Sequence, residues 1–422
     1  MKSHRRNFLK GLLAASTGLG LTNNSAAVQA ADARASTRAE KTGSRKKVFA
    51  VPAFFADADD LPEDVFGDLC VMRKGPRSMT EGGSPTAIEP IMSVREWAVK
   101  AAALKDIWRM ILGTPPLVDC PLEIRVEKET LRGDIVERRV TYLLNPGERT
   151  ASLMLIPNGA RRPAPALLTI HPTTAFGKEQ TVGRGESADG KLTPTAARRA
   201  YGLELAQKGY ITFSPDLLGA GERIYSGRRS FDNQPFIDAH PHWSGTGKDL
   251  HDLRRALDVM QSMSEIDATR IGSIGHSQGA GLTNYLTAVD GRVKVGVANC
   301  GVWPTRVHKG PFNIARTAWW TGQPAMRPFL HAGKPPPIDV HELLALAAPR
   351  PFLNISALND CGFSVADEPL TRAVWENLAQ NVRKIYALYG AEEKFQSVLH
   401  LDGHDFHDPM RVRAYAFLER YL

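Results

Sequence analysis

The sequence predicts an α/β protein: a mostly parallel central sheet, helices on both of its faces, and one lid-like insertion. Three observations predict it. From residue 165 onward, runs of strand character alternate with helical runs, the pattern of strands joined by helical crossovers. Pro165-Ala-Leu-Leu-Thr-Ile-His171 is apolar without alternation, as in a strand buried on both faces. Strand-like Arg270–Ile274 runs into Gly275-His276-Ser277-Gln278-Gly279 and leaves as the helix-compatible Ala280–Ala288.

Taken in order, residues 31–47 are rich in Ala, Ser, Thr and basic side chains and read as a linker; residues 48–92 read as an extension lying against the body. Ser93–Leu112 reads as a helix, with Ser93 as N-cap, Glu96 at the capping-box position and Trp97, Leu104, Ile107, Trp108 and Ile111 near helical spacing. Leu122–Glu127 alternates, Val136–Leu144 follows after a Gly-Asp turn and Thr150–Pro157 makes a third run; these read as antiparallel strands leading into the sheet. After the strand at 165–171 come a helix over Thr195–Lys208, a strand over Tyr210–Asp216, a helix over Lys248–Ser262 and the strand that ends at Ser277. Val293–Cys300, Leu353–Leu358 and Phe395–Leu401 are further strands, with helices at Glu368–Val382 and Pro409–Tyr421. Val302–Ile338 interrupts the alternation with Trp303, Phe312, Trp319, Trp320 and Phe329 among prolines and glycines. A lid over a site and simple packing are both open readings of it.

The Gly275–Gly279 stretch carries the chemistry. A serine on a tight strand-to-helix turn sits in a strained backbone conformation, and the positions two before and two after must be small if strand and helix are to pack. The Ser277 hydroxyl is then presented above the sheet, while the Gln278 amide, at the helix N-terminus, faces any negative charge that develops there. A serine hydroxyl is a weak nucleophile and needs a base with an orienting acid. In the serine-elbow order these follow at the ends of later strands: Asp360, 83 residues on, and His404, 44 residues further. Asp367 and Glu368 stand towards a helix start, Asp402 suits a turn with Gly403, and His400 and His407 lie off the strand end. The second oxyanion donor is expected after Ile170, where Pro172 has no N–H, so the Thr173 amide is favoured with Thr174 in reserve. His171 is expected to brace this turn.

The stretches Leu168–Thr174 with Gly177-Lys178-Glu179, Gly209–Asp216, Ile266–Gly279, Leu346–Leu353 and Gly403-His404 resemble the α/β-hydrolase superfamily, most nearly its dienelactone-hydrolase and acetyl-xylan-esterase-like branch. The resemblance spans residues 93–422 and departs at Ala280, where many relatives have glycine. It implies a triad of Ser277, Asp360 and His404 with no metal and no organic cofactor. The expected activity is therefore hydrolysis of carboxylic esters, acyl groups on carbohydrate included. A prolyl-oligopeptidase-like peptidase shares the elbow, but the about 60 residues between the leader and the first helix are too few for several propeller blades of about 40–50 residues each. A non-catalytic binding protein of the same fold is the third reading; every expected triad position holds a competent residue.

The formal charge of +8 suggests a nucleic-acid partner until it is located. Residues 1–47 hold ten basic and two acidic side chains, and the remainder holds 43 of each, so the body is neutral and no nucleic acid is expected. Arg5-Arg6-Asn7-Phe8-Leu9-Lys10, the weakly apolar Gly11–Leu21 and small residues around Ala30 resemble a twin-arginine export signal. His4 departs from the usual Ser or Thr. The resemblance implies the twin-arginine machinery as a partner, cleavage near residue 30 and a periplasmic or secreted protein; the apolar run is too short for a membrane anchor. Cys70, Cys120, Cys300 and Cys361 lack metal-site spacing, and Cys300 and Cys361 fall at the ends of strands expected to be neighbours, where a disulfide is open.

Overall fold

The computed structural model describes residues 66–74, 87–116, 120–185, 193–307, 311–316, 318–332, 334–360 and 368–422. The stretch that resembles a twin-arginine signal, residues 31–47 and Cys361 lie outside them. Among the described residues are seven principal helices and eleven strands, nine of them in one sheet. Its strands are β3 (Arg125–Arg132), β4 (Ile135–Asn145), β5 (Glu148–Pro157), β6 (Ala164–Ile170), β7 (Ile211–Pro215), β8 (Ile266–His276), β9 (Val293–Asn299), β10 (Phe352–Ala357) and β11 (Phe395–His400). Their order is β11-β10-β9-β8-β6-β7-β5-β4-β3, parallel from β11 to β7 and antiparallel from there to β3.

Alternation along the parallel strands divides the core in two, because successive side chains point to opposite faces. Leu168, Ile170 and Ile271 face the larger core, together with Trp97, Trp108 and Leu286. Leu167, Ile274, Val295, Val297, Leu353 and Ile355 face the other, closed by Tyr201, Tyr415, Phe417 and Leu418. Helices α1 (Val94–Leu112), α3 (Gly245–Ser262), α4 (Gln278–Val289), α5 (Val340–Leu346) and α6 (Glu368–Leu388) belong to the first face; α2 (Tyr201–Gln207) and α7 (Asp408–Tyr421) cover the second. Both faces of every central strand are thereby removed from water, which is why their sequences show no polar stripe.

α1 begins where its cap dictates: Ser93 Oγ accepts the Glu96 N–H, and the Glu96 carboxylate reaches back to the Met92 N–H rather than to that of Ser93. Gly113, at φ +80°, ends it.

Several boundaries differ from the sequence reading. The first antiparallel strand starts at Arg125, not Leu122, and runs to the turn at Gly133. Thr195–Lys208 is not one helix but a single turn, Pro194–Ala197, followed by α2; Gly202 then lies so close to the Thr181 carbonyl that an added Cβ would stand 2.8 Å from it. Helix α3 starts three residues before Lys248 because Ser244 Oγ caps the Gly247 N–H. Helix α6 continues past Val382 to Leu388, and α5 was missed although Asp339 and Glu342 form a capping box. Before residue 93, strands β1 (Val71–Lys74) and β2 (Ala87–Pro90) pair antiparallel, while Phe66 and Leu69 are fully buried in the larger core. Residues 302–338 wall a cavity at the sheet's C-terminal edge with Trp303, Ile314 and Trp320, and also send Met326 and Ile338 into the core.

Candidate active site

Strand β8 delivers Ser277 and helix α4 carries the chain away. The serine has φ +56° and ψ −121°, a conformation that costs energy for any residue with a Cβ. It persists because strand and helix can approach: a Cβ on Gly275 would stand 2.2 Å from the Gly279 carbonyl, and one on Gly279 would stand 2.1 Å from that of Ile170. The Ser277 N–H donates to the Asn299 carbonyl at 2.9 Å, anchoring the turn to β9.

Asp360 follows β10 and His404 follows β11, and the sheet brings both to the Ser277 edge. His404 Nε2 lies 2.9 Å from Ser277 Oγ, and His404 Nδ1 lies 2.8 Å from Asp360 Oδ2. Asp360 is 1% exposed, so its charge acts in a medium that screens it little. With Asp360 ionised, Nδ1 carries the proton and Nε2 accepts the serine O–H. Thus three residues far apart in sequence form one continuous hydrogen-bond line.

The two residues predicted to supply amide donors border the same cavity. The N–H groups of Gln278 and Thr173 have no hydrogen-bond acceptor among the described residues, and both residues line the cavity beside Ser277. A second contact joins their side chains: Thr173 Oγ1 donates to Gln278 Oε1 at 3.2 Å. The loop carrying Thr173 is braced as expected by His171, whose Nδ1 donates to the Pro172 carbonyl at 2.7 Å and whose Nε2 accepts the Leu217 N–H at 3.0 Å. Burial lowers its pKa, which keeps this one-donor, one-acceptor tautomer neutral. Lys178 and Asp216 fix the far end of the loop by a buried 2.6 Å ion pair, and Asp216 also accepts the N–H groups of Lys178 and Glu222.

Other positioning groups escaped the sequence reading. Asn359 Nδ2 donates to the Leu401 carbonyl at 2.7 Å, and its Oδ1 accepts the Gly403 N–H at 2.9 Å, tying the loop of Asp360 to that of His404. Asn299 Nδ2 donates to His276 Nδ1 at 2.8 Å and to the Asp405 carbonyl at 3.0 Å. The His276 ring in turn packs 4.9 Å from that of His404, and burial drives its pKa well down, so it presents no charge to its neighbour. An Asn beside each of two strand ends was the available signal. Asp402 does not act on Ser277; it pairs with His407 Nε2 at 2.9 Å.

Cys300 is a free buried thiol, while the partner suggested for it, Cys361, is outside the described residues. Among the described residues, three clusters place possible metal-ligand atoms within 4.8 Å of one another: Cys300–Asp360–His404, His400–Asp402–His407 and Asp68–His341–Glu342. In the first the imidazole is already bonded to Ser277 and Asp360. In the third Asp68 is already paired with Arg306 and His341. The cavity next to Ser277 has a volume of about 100 Å³ and an aromatic wall of Tyr285, Trp303 and Trp320.

A model of the Abhydrolase family matches residues 77–300, and the chain belongs to that family. The curated protein "Putative hydrolase YtaP" of Bacillus subtilis (strain 168) is 27% identical over 332 residues, 77% of this chain and 100% of that one. "Glucuronoyl Esterase from Solibacter usitatus" superposes with a TM-score of 0.59 at 18% identity, over 78% of this chain and 94% of its own. A structure described as a promiscuous CE15 esterase from the marine bacterial metagenome gives 0.62, also at 18% identity, over 87% and 99%. These likenesses and the sheet order show the α/β-hydrolase fold.

Proposed function

We propose that this member of the Abhydrolase family is an exported serine hydrolase that cleaves carboxylic esters, acyl esters on carbohydrate among them, through an acyl-enzyme. One observation carries the reading: His404 stands between Ser277 Oγ and Asp360 Oδ2 at 2.9 and 2.8 Å. As Oγ attacks the ester carbonyl, His404 Nε2 takes its proton, and Asp360 holds the ring and stabilises the imidazolium that forms. The carbonyl oxygen becomes an oxyanion and receives the N–H groups of Gln278 and Thr173. On collapse the C–O bond to the alcohol breaks and the alcohol leaves with the proton from Nε2. Water then attacks the acyl-enzyme by the same route, releasing the acid and restoring Ser277. The esterases that superpose on the chain support the ester reading, and the arginine pair near the N-terminus supports export.

Ser277→Ala leaves the fold intact and lowers kcat for a small aryl acetate by roughly a thousandfold or more. Turnover retained by that variant defeats the assignment. Export has its own test: replacing Arg5 and Arg6 by lysine keeps the protein in the cytoplasm, and undiminished appearance in the periplasm removes that part of the proposal.

A further inference from the structure

The cavity beside Ser277 contains one carboxyl group that the triad and its loops do not use. Asp249 stands in the first turns of α3, 3% exposed, and forms part of the cavity wall with Thr173, Ser277 and Gln278. Its Oδ1 accepts the Leu218 N–H at 2.8 Å, while Oδ2 receives no hydrogen bond among the described residues. Neighbouring cations do not neutralise it. Arg223 is paired with Asp252 and Glu148 at 2.7 and 3.0 Å, and Lys248 with the same two carboxylates at 2.6 and 2.8 Å. Burial pushes the Asp249 carboxyl up to about 7; the Leu218 amide and Arg223 oppose that rise, Asp252 adds to it and Lys248 opposes it.

A carboxylate oxygen without a donor, on a residue only 3% exposed, is poorly solvated, and such groups normally find a partner. Here the open direction is the substrate cavity. An ionised carboxylate accepts hydrogen bonds and gives none, so the partner that suits it is an O–H or N–H group carried in by the ligand. The aromatic lining of the same cavity, with Trp303, Trp320 and Tyr285, suits the apolar face of a ring. A ring with one apolar face and hydroxyls at its edge meets both demands.

We propose that Asp249 is a specificity-determining residue, whose Oδ2 accepts a hydrogen bond from a substrate hydroxyl and so selects esters of polyhydroxylated, sugar-like molecules over hydrocarbon esters of the same size. This rests on the ester-hydrolase reading above and names the substrate class of that same site.

The hydroxyl could belong to the alcohol or to the acid of the ester, and two matched substrate pairs separate these: an acetylated methyl xyloside against cyclohexyl acetate, and methyl glucuronate against methyl cyclohexanecarboxylate. kcat/KM is measured at pH 8.5, where Asp249 is ionised, for the native protein, Asp249→Asn and Asp249→Ala. Hydrogen bonds to a charged group are the strong ones, so the selectivity for the hydroxylated member of one pair falls about tenfold in Asp249→Asn and about ten- to a hundredfold in Asp249→Ala, chiefly through KM. The pair that responds identifies the side of the ester that enters the cavity. If Asp249→Ala does not fold, Asp249→Asn decides the matter, because its amide oxygen still accepts the Leu218 N–H. Selectivity ratios unchanged in both pairs overturn the proposal. A native protein that turns over none of the four esters, while a fluorophosphonate still labels Ser277, overturns the ester reading and this inference with it.

Discussion

Asn359 shows what a single uncharged side chain does for the site, since it bonds to both the Leu401 carbonyl and the Gly403 N–H and so fixes His404 relative to Asp360. Small displacements of reacting groups cost rate steeply. Asn359→Ala is expected to lower kcat on an aryl acetate by about tenfold or more with little change in KM, and Asn359→Asp, which keeps the acceptor for Gly403, to lose less. Equal kinetics in all three proteins would show that the two loops hold themselves. Asp249 gives a second expectation at this scale, through linkage. Its carboxyl titrates near 7 in the folded protein against an ordinary 3.8, so between those values the folded chain holds a proton that the unfolded chain has lost. Its contribution to stability is therefore lost as pH rises from about 4 to about 7 and stays lost above. In urea unfolding at pH 4.5 and pH 8, Asp249→Asn should gain on the native protein as pH rises; a constant difference would place the carboxyl's titration elsewhere. Ser277, Asp360 and His404 were legible because each sits at a strand end in a fixed order. Asn359 and Asp249 were not, because an Asn in a turn and an Asp near the start of a helix are ordinary residues until the fold shows what they face.

The elbow between β8 and α4 is the element on which the site turns. Its two small residues do unequal work: Gly275 lets α4 begin, and Gly279 lets α4 lie against the end of β6, 2.1 Å from Ile170 O as seen by a would-be Cβ. Because the obstruction is backbone, it cannot move aside as a side-chain tip would. Gly279→Val is expected to cost roughly 1–3 kcal/mol or more in stability and to abolish aryl acetate hydrolysis, since the Gln278 amide moves with the helix. A folded Gly279→Val protein with native kcat would mean that the helix start does not set the oxyanion donors. Central strands were readable for the same physical reason, close burial on both faces, which leaves only apolar and small residues in them. The start of α3 was not readable, because Gly245-Thr246-Gly247 has loop composition. Its glycines are there for contact: a Cβ on Gly245 would stand 2.3 Å from the Thr321 carbonyl, and one on Gly247 would stand 2.4 Å from that of Leu112. Tertiary packing overrides helix propensity at that point.

Across the whole molecule, a buried charge cluster joins three distant parts of the chain. Asp68, just ahead of β1, pairs with Arg306 at 3.0 Å and His341 at 3.1 Å; Arg306 also pairs with Asp339 at 3.2 Å, and Lys100 of α1 bonds to the Val71 carbonyl at 2.8 Å. The segment before α1 is thereby fastened to the root of the 302–338 segment that walls the cavity and to α5. None of this shows in periodicity, since partners 238 and 273 residues apart leave no local pattern. Burial works against ionisation of Asp68, but His341, Arg306 and Lys100 outweigh it and hold the carboxyl far below the usual range. A depressed carboxyl pKa contributes stability that is present above the unfolded value near 4 and is lost as pH falls through the folded value. Asp68→Asn removes one of the two carboxylates paired with Arg306 and the one paired with His341, and truncating one partner of a buried pair costs about 3–5 kcal/mol. The variant is expected to unfold at lower urea than the native protein at pH 7, with the gap closing as pH falls below about 4. Because the same cluster holds the root of the cavity wall, its KM for esters should rise while labelling of Ser277 by a fluorophosphonate persists. Native urea stability at pH 7 would show that the N-terminal segment is held by Phe66 and Leu69 alone.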